Sequence, residues 1–377
     1  MSDEPERVRA AAALVSQLVE RAALDGSTRV DADVVGAALR GAGFDDPAPG
    51  AQAAFETGAV AAFAQERCFG HVEWAELEEH VADALLGLRS ESGDDAVIVV
   101  DAPRGTDPDA VVQPLCQALE QAGGRMARTR ADLLDAQLPV VAEADLVVVE
   151  RADLLGLAGA AQLGGALRER ARLVLVGDHS LPPAPGPGQV LNDVVTSGVV
   201  AVLAAPVIEG AGPLAELVGS LRVGALPPLD QAQRAVVVTP AVDPEGAVRR
   251  AGQLVTSSLP RVFGVQPTDT LVLAPRAAGL TGTEELRSSL AALGVGEVEV
   301  RTCAEAVGRS AEAIVLVLGA EAGGSLTRDL LTGAATEAGQ HLSVVHQAGP
   351  ALAEAVADRP HRARHTRLAR LLAAGLP

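Results

Sequence analysis

From residue 96 onward, short uninterrupted runs of Val, Leu and Ile alternate with stretches whose apolar residues recur at helical spacing, and this pattern constrains the fold more than any other. The runs are residues 96–100, 146–149, 173–176 and 199–203, then 235–238, 270–273, 298–300, 314–318 and 342–345. A strand with one wet face alternates apolar and polar residues. An unbroken apolar strand between helices is buried on both faces, as parallel strands are. Two α/β units are therefore predicted, with a boundary near residues 206–213. Residues 1–92 read differently: they hold no strand-like run, and Val8, Ala11, Ala12, Leu14, Val15 and Leu18 recur at helical spacing, as do Val81, Ala84, Leu85 and Leu88. The domains predicted are 1–92, helical and acidic; 93–208, the first α/β unit; and 209–377, the second, closing on a basic helix. Residues 224–231 (GALPPLDQ) form a polar, proline-containing excursion.

Composition narrows the chemistry. With 377 residues, 48% hydrophobic and 21% charged, the chain is globular. A formal charge of −19 excludes nonspecific binding of polyanions over the whole surface, though not in a local basic groove. Residues 1–92 contribute 17 acidic residues against 7 arginines. No lysine occurs, so all 30 cationic side chains other than histidine are arginines. Schiff-base chemistry and a phosphate-binding lysine are thereby excluded. Aromatic residues make up 2%; Trp74 and most phenylalanines lie before residue 75 and read as core of the helical domain. Cys68, Cys116 and Cys303 are far apart, with neither metal-ligand spacing nor a disulfide framework. The acidic start lacks a signal peptide's apolar segment, and the longest apolar run, residues 199–208, is too short to span a bilayer. A cytoplasmic protein without a membrane partner is expected.

Three strand ends carry motif-like residues. The first run leads into Asp101-Ala102-Pro103-Arg104-Gly105-Thr106-Asp107-Pro108-Asp109 before a helix. Strand, tight loop and helix is the setting of a phosphate-binding loop, whose glycines free backbone N–H groups, whose lysine neutralises charge and whose Ser/Thr holds Mg²⁺. Here Asp107 or Pro108 stands at the lysine position; the first would repel a phosphate and the second removes a donor. An ordinary βα turn fits the same residues. The second run ends in Glu150-Arg151, where an acidic pair would hold Mg²⁺; a surface ion pair at the strand tip is the plainer reading. The third continues as Gly177-Asp178-His179-Ser180-Leu181-Pro182-Pro183-Ala184-Pro185-Gly186-Pro187-Gly188-Gln189-Val190.

This last stretch resembles the third motif of the RecD-like superfamily 1 DNA helicases, GD-x-x-Q-L-P-x-V-G-x-G followed by a short helix, with Leu181 where the family has its nucleotide-sensing glutamine. Further segments fall into register. Residues 271–276 with Gly279, Gly282 and Thr283 resemble the opening of the second RecA-like domain. Residues 302–318 resemble the segment T-x-H-K-S-Q-G-S-E, with Ala304-Glu305-Ala306-Val307 replacing His-Lys-Ser-Gln and Gly308 kept. Residues 330–345 resemble the final motif, keeping Thr336 and Ala338 but with Glu337 in place of the arginine that reaches the γ-phosphate. Residues 351–372, with Arg364-His365-Thr366-Arg367-Leu368, resemble the closing helix. About 45 residues separate the loop from Glu150, and little remains of the family's aromatic, DNA-gripping segment.

The resemblance implies an α/β fold of two RecA-like, P-loop NTPase-type domains with parallel sheets, preceded by a small all-α domain. It places Arg104, Gly105, Thr106, Asp107, Pro108, Asp109, Glu150, Gly177, Asp178 and Glu337 around a degenerate nucleotide pocket, with no catalytic residue and no metal. An arginine finger is worth about 10³–10⁵ in rate; without it, the lysine and the glutamine, no useful ATPase is expected. Three functions fit: a non-catalytic binding or scaffold protein in DNA metabolism or repair, an active ATP-dependent 5′–3′ DNA helicase using ATP and Mg²⁺, or a pure protein-interaction subunit. The expected partners are single-stranded DNA or a protein of a DNA-processing complex. Arg359, Arg362, Arg364, Arg367 and Arg370 are candidate contacts to either; on a helix their spacing makes them surface neighbours. Pairing of that tail with the acidic N-terminal domain is the competing reading.

Overall fold

The computed structural model describes residues 4–88, 95–227 and 234–375. The expected change of pattern at residues 90–95 falls mostly outside them, as do residues 228–231 of the predicted excursion. The N-terminal region comprises helices α1 (Glu4–Leu24), α2 (Ala32–Gly41), α3 (Ala48–Glu56) and α4 (Val72–Gly87), with strands β1 (Arg29–Asp31), β2 (Ala61–Phe63) and β3 (Cys68–Gly70). The strands form an antiparallel sheet in the order β1-β3-β2. This corrects the expectation of a region without strands: at three residues each, they are too short to carry a period of two. The helices close over Ala11, Val15, Val19, Val35, Leu39, Ala54 and Val60, with Phe44 and Phe69 beside them. Trp74, expected in this core, instead packs from α4 against the core of the first α/β domain.

The first domain is built from β4 (Val97–Asp101), α5 (Asp109–Gln121), β5 (Met126–Arg130), α6 (Leu134–Val141), β6 (Leu146–Glu150), α7 (Leu157–Ala166), β7 (Arg172–Gly177), α8 (Val190–Ser197) and β8 (Ala201–Ala204). Its strands are all parallel, in the order β5-β6-β7-β4-β8. The unbroken apolar runs have a direct cause. Val97, Val99, Val147, Val149, Leu173 and Leu175 enter the core on one face, while Ile98, Val100, Leu146, Val148, Val174 and Val176 enter the core on the other. Burying each such side chain contributes roughly 1.5–3 kcal/mol. Strand β5, MARTR, was not foreseen. It is an edge strand that buries only Ala127 and Thr129 and turns its arginines outward.

The second domain contains α9 (Pro213–Arg222), β9 (Val236–Pro240), α10 (Pro244–Gln253), α11 (Leu259–Phe263), β10 (Thr270–Ala274), α12 (Thr283–Ala292), β11 (Glu299–Thr302), β12 (Ala311–Leu318), α13 (Arg328–Glu337), β13 (Ala338–His346) and α14 (Ala351–Asp358). Its parallel sheet has the order β11-β10-β12-β13-β9. Ile314, Leu316 and Leu318 of β12 face one core, and Ala313, Val315 and Val317 the other. Helix α9 presents Leu214, Leu217, Val218 and Leu221, one helical stripe, to the first of these cores. The fold is α/β, with two RecA-like domains after a helical N-terminal region.

The tail departs from the continuous basic helix expected at the end of the second domain. Residues 359–367 are not helical, and the last helix, α15 (Leu368–Ala374), crosses back to the first domain, where Leu368 and Leu372 join its core. No helix among the described residues is long and apolar enough to cross a membrane.

Candidate functional site

Parallel strands end at one edge of the sheet, and in open α/β sheets ligands bind beyond that carboxyl edge. Registers Asp101↔Gly177 and Glu150↔Val176 bring the three motif-bearing strand ends together there. The second domain faces this edge across a cleft.

The loop after β4 is closed on itself. Gly105 has φ +87°, and a Cβ there would lie 2.5 Å from Cβ of Ala215 on α9. Thr106 donates its N–H to Pro103 O (3.2 Å) and its hydroxyl to the same oxygen (2.7 Å). Asp107 donates its N–H to Pro206 O (2.9 Å), Ile208 donates to Gly105 O (2.8 Å), and Thr106 bridges Val207. Two backbone N–H groups that could wrap a phosphate are thus spent on the protein's own carbonyls, and Pro108 has none. Asp107 Oδ1 accepts from the N–H of Asp109 (3.1 Å) and of Ala110 (3.4 Å). The N-terminus of α5, the natural anion site of such a loop, already holds a carboxylate from the chain itself.

Arginines cross the cleft. Arg104 donates from Nη1 to Ala335 O (3.1 Å), Thr336 O (2.9 Å) and Ala338 O, and from Nη2 to Gly339 O (3.2 Å), so it caps the carbonyl end of α13. Burial pushes its pKa down, against the pull of Glu337. Arg151, held at φ 51° in the left-handed region, donates to Asp153 Oδ2 (3.0 Å) and to Glu337 Oε1 (2.6 Å). Burial alone would lower its pKa, but Asp153 and Glu337 outweigh that and raise it. Glu337 also accepts from Ser310 Oγ at 2.5 Å. Glu337 is thus answered by an arginine from the opposite domain. Arg222, the last residue of α9, donates from Nη2 to Asp101 Oδ2 (2.5 Å) and from Nη1 to Asp178 Oδ1 and Ser180 Oγ (3.1 Å).

Glu150 lies apart from these crossings. Its partner is Arg128 of β5 (2.5 Å), which also reaches Asp109 (2.7 Å), so the adjacent Arg151 is free to turn toward the cleft. Gly177 is where residues 152 and 153 pass: a Cβ there would meet Asp153 N at 2.9 Å. Leu181 is buried and, with Pro182, lines an apolar cavity between the domains together with Ile314, Leu330 and Ala334. The loop's donors are used, the helix end is capped and the cleft is bridged.

The tail arginines are spread over all three regions. Arg359 donates to Gly323 O (2.7 Å), and Arg362 pairs with Asp25 (3.0 Å). Arg364 donates to Ala184 O (3.1 Å), Gly186 O (2.8 Å) and Gly188 O (2.6 Å) in the loop after β7. Arg367, buried, pairs with Glu66 and Glu79 (3.1 Å each) and lies 3.3 Å from the Phe63 ring centroid. Arg370 is exposed on α15. Beneath the tail, Glu78 Oε1 accepts from Thr28 Oγ1 (2.9 Å) and from the N–H of Arg367 (2.7 Å). Asp193 Oδ1 accepts from Thr366 Oγ1 (2.8 Å) and Gln189 Nε2 (3.1 Å). Burial pushes Asp193 up to about 7 and raises Glu78 as well.

Sequence reasoning did not single out Asp101, His179, Arg222 or Asp193. Arg222 had one available signal, an arginine directly after the apolar stripe of an amphipathic helix, but where it points depends on how α9 docks.

No protein-family model matches the chain, and no curated protein matches it. Among solved structures it is similar to arterivirus nonstructural protein 10, a helicase, in complex with DNA: 14% identity and TM-score 0.41, over 74% of this chain and 65% of that one. It is also similar to the PRRSV helicase, at 12% identity and TM-score 0.36 over 72% and 54%. A third is the Pif1 helicase from Candida albicans, at 9% identity and TM-score 0.30 over 71% and 94%. The chain spans less than two thirds of the viral helicases it resembles.

Proposed function

We propose that this protein is a RecD-like helicase-fold protein that neither binds nor hydrolyses ATP and acts as a non-catalytic scaffold in DNA metabolism. One observation carries the reading: Asp107 caps the α5 N-terminus while the Gly105–Thr106 loop is hydrogen-bonded to residues 206–208. A triphosphate entering this loop would meet a carboxylate where a lysine ammonium is needed, and would have to break backbone bonds to find its donors. The arginine clasps hold the domains together without a nucleotide between them.

Within this reading a protein partner is favoured over single-stranded DNA. Arg359, Arg362, Arg364 and Arg367 are engaged by the chain's own carbonyls and carboxylates, which leaves them poorly placed to track a phosphate backbone. Calorimetry with an ATP analogue at low salt, with and without Mg²⁺ and single-stranded DNA, tests the proposal. No heat at millimolar nucleotide is expected; saturable micromolar binding overturns it. Single-strand binding that weakens as salt rises would replace the protein partner with DNA.

A further inference from the structure

We propose that the corner formed by Asp101, Asp178 and His179 is a binding site for a divalent transition-metal ion of the zinc type. One ligand atom from each of the three lies within 4.8 Å of the others. Bonds of about 2.0–2.2 Å to a metal put neighbouring donors roughly 3–3.5 Å apart, so modest side-chain adjustment closes the set. The donors stand on rigid elements, Asp101 at the end of β4 and Asp178 and His179 directly after the adjacent β7.

Arg222 satisfies only half of the two carboxylates. It takes Asp101 Oδ2 and Asp178 Oδ1. Asp101 Oδ1 faces His179 Nδ1 at 3.0 Å. Asp178 is 2% exposed, and its Oδ2 is buried with no hydrogen-bond partner. A bare carboxylate oxygen inside a protein is costly, and this one sits in a corner where two carboxylates meet a single guanidinium.

The donor chemistry selects the ion. Two carboxylates with one imidazole suit zinc and its first-row neighbours, whereas Mg²⁺ and Ca²⁺ prefer all-oxygen sets. His179 and Asp101 reach the cleft, leaving further coordination positions to water. The bound ion would share both carboxylates with Arg222, so its occupancy would bear on the clasp that α9 makes across the cleft. The site requires no nucleotide and goes beyond the scaffold reading.

The test is calorimetric titration of the full chain with Zn²⁺, paired with the visible absorption of Co²⁺ as a probe of coordination. One equivalent is expected, with His179→Ala and Asp101→Asn each weakening it about tenfold or more. Arg222→Met is expected to tighten it, because the competing cation is gone; circular dichroism checks that each variant is folded. Binding that is unchanged in His179→Ala and Asp101→Asn, binding that Arg222→Met weakens, or no binding at millimolar Zn²⁺ overturns the proposal. Nucleotide is absent from every arm, so failure here is distinct from failure of the scaffold reading.

Discussion

Replacing Arg222 with methionine keeps most of the side chain's length and removes its charge. Asp178 is then left with one protein partner residue, Ser180. Removing one member of a buried ion pair costs about 3–5 kcal/mol, because the remaining charge stays buried. Arg222 is 19% exposed and Asp101 15%, so water reaches part of the corner; the expected loss is about 3 kcal/mol. For domains of this size that lowers the melting midpoint by roughly 6–12 °C. Because the protein has two sheet domains, the change is best followed at the cleft, by denaturant-dependent hydrogen exchange of residues 101–107 and 177–181. A double-mutant cycle isolates the cause. With Asp178→Asn in the background, Arg222→Met is expected to cost about 2 kcal/mol less, since no buried charge is stranded. A coupling below about 0.5 kcal/mol, the scatter of independent sites, would refute the idea that this pair clasps the domains.

Two further outcomes follow from particular residues. Asp193 is raised to about 7 by burial, with Glu78 adding to the shift and Thr366, Gln189 and Arg364 opposing it. The folded state therefore holds a proton that the unfolded chain releases near pH 4. Stability is fullest below that value and falls as pH rises toward 7, by up to about 4 kcal/mol at 1.36 kcal/mol per unit; Asp193→Asn should flatten the profile between pH 4 and 7, and parallel denaturation profiles for the two proteins would disprove this. Gly105→Ala should cost about 1–3 kcal/mol, as its φ of +87° and the 2.5 Å approach to Ala215 both exclude a Cβ; an unchanged melting midpoint would show that the loop and α9 are not in contact.

Much of the architecture was legible because it rests on local periodicity. A strand such as residues 314–318 is apolar at every position because both its faces are covered, and that shows in five consecutive letters. Strand β5 was not legible, since an edge strand with outward arginines looks like a loop. The three N-terminal strands were too short to register. The tail was misread as one helix because its arginine spacing also suits one; its structure is set instead by carbonyls at residues 184–188 and carboxylates at residues 66, 78 and 79, which lie nearly two hundred residues or more away in sequence.

The sequence by itself determined the two parallel α/β layers, the order of the strand-end loops along them and the absence of any lysine. Only the tertiary structure decided where the charged residues near those strand ends find their partners: Asp107 on its own helix end, Glu337 against Arg151, Arg104 on the carbonyls of α13, and Arg222 between Asp101 and Asp178. The reason is physical. Side-chain period along a strand is fixed by neighbouring residues, whereas a charge finds its partner only after distant elements dock; Arg222 and Asp101 are 121 residues apart.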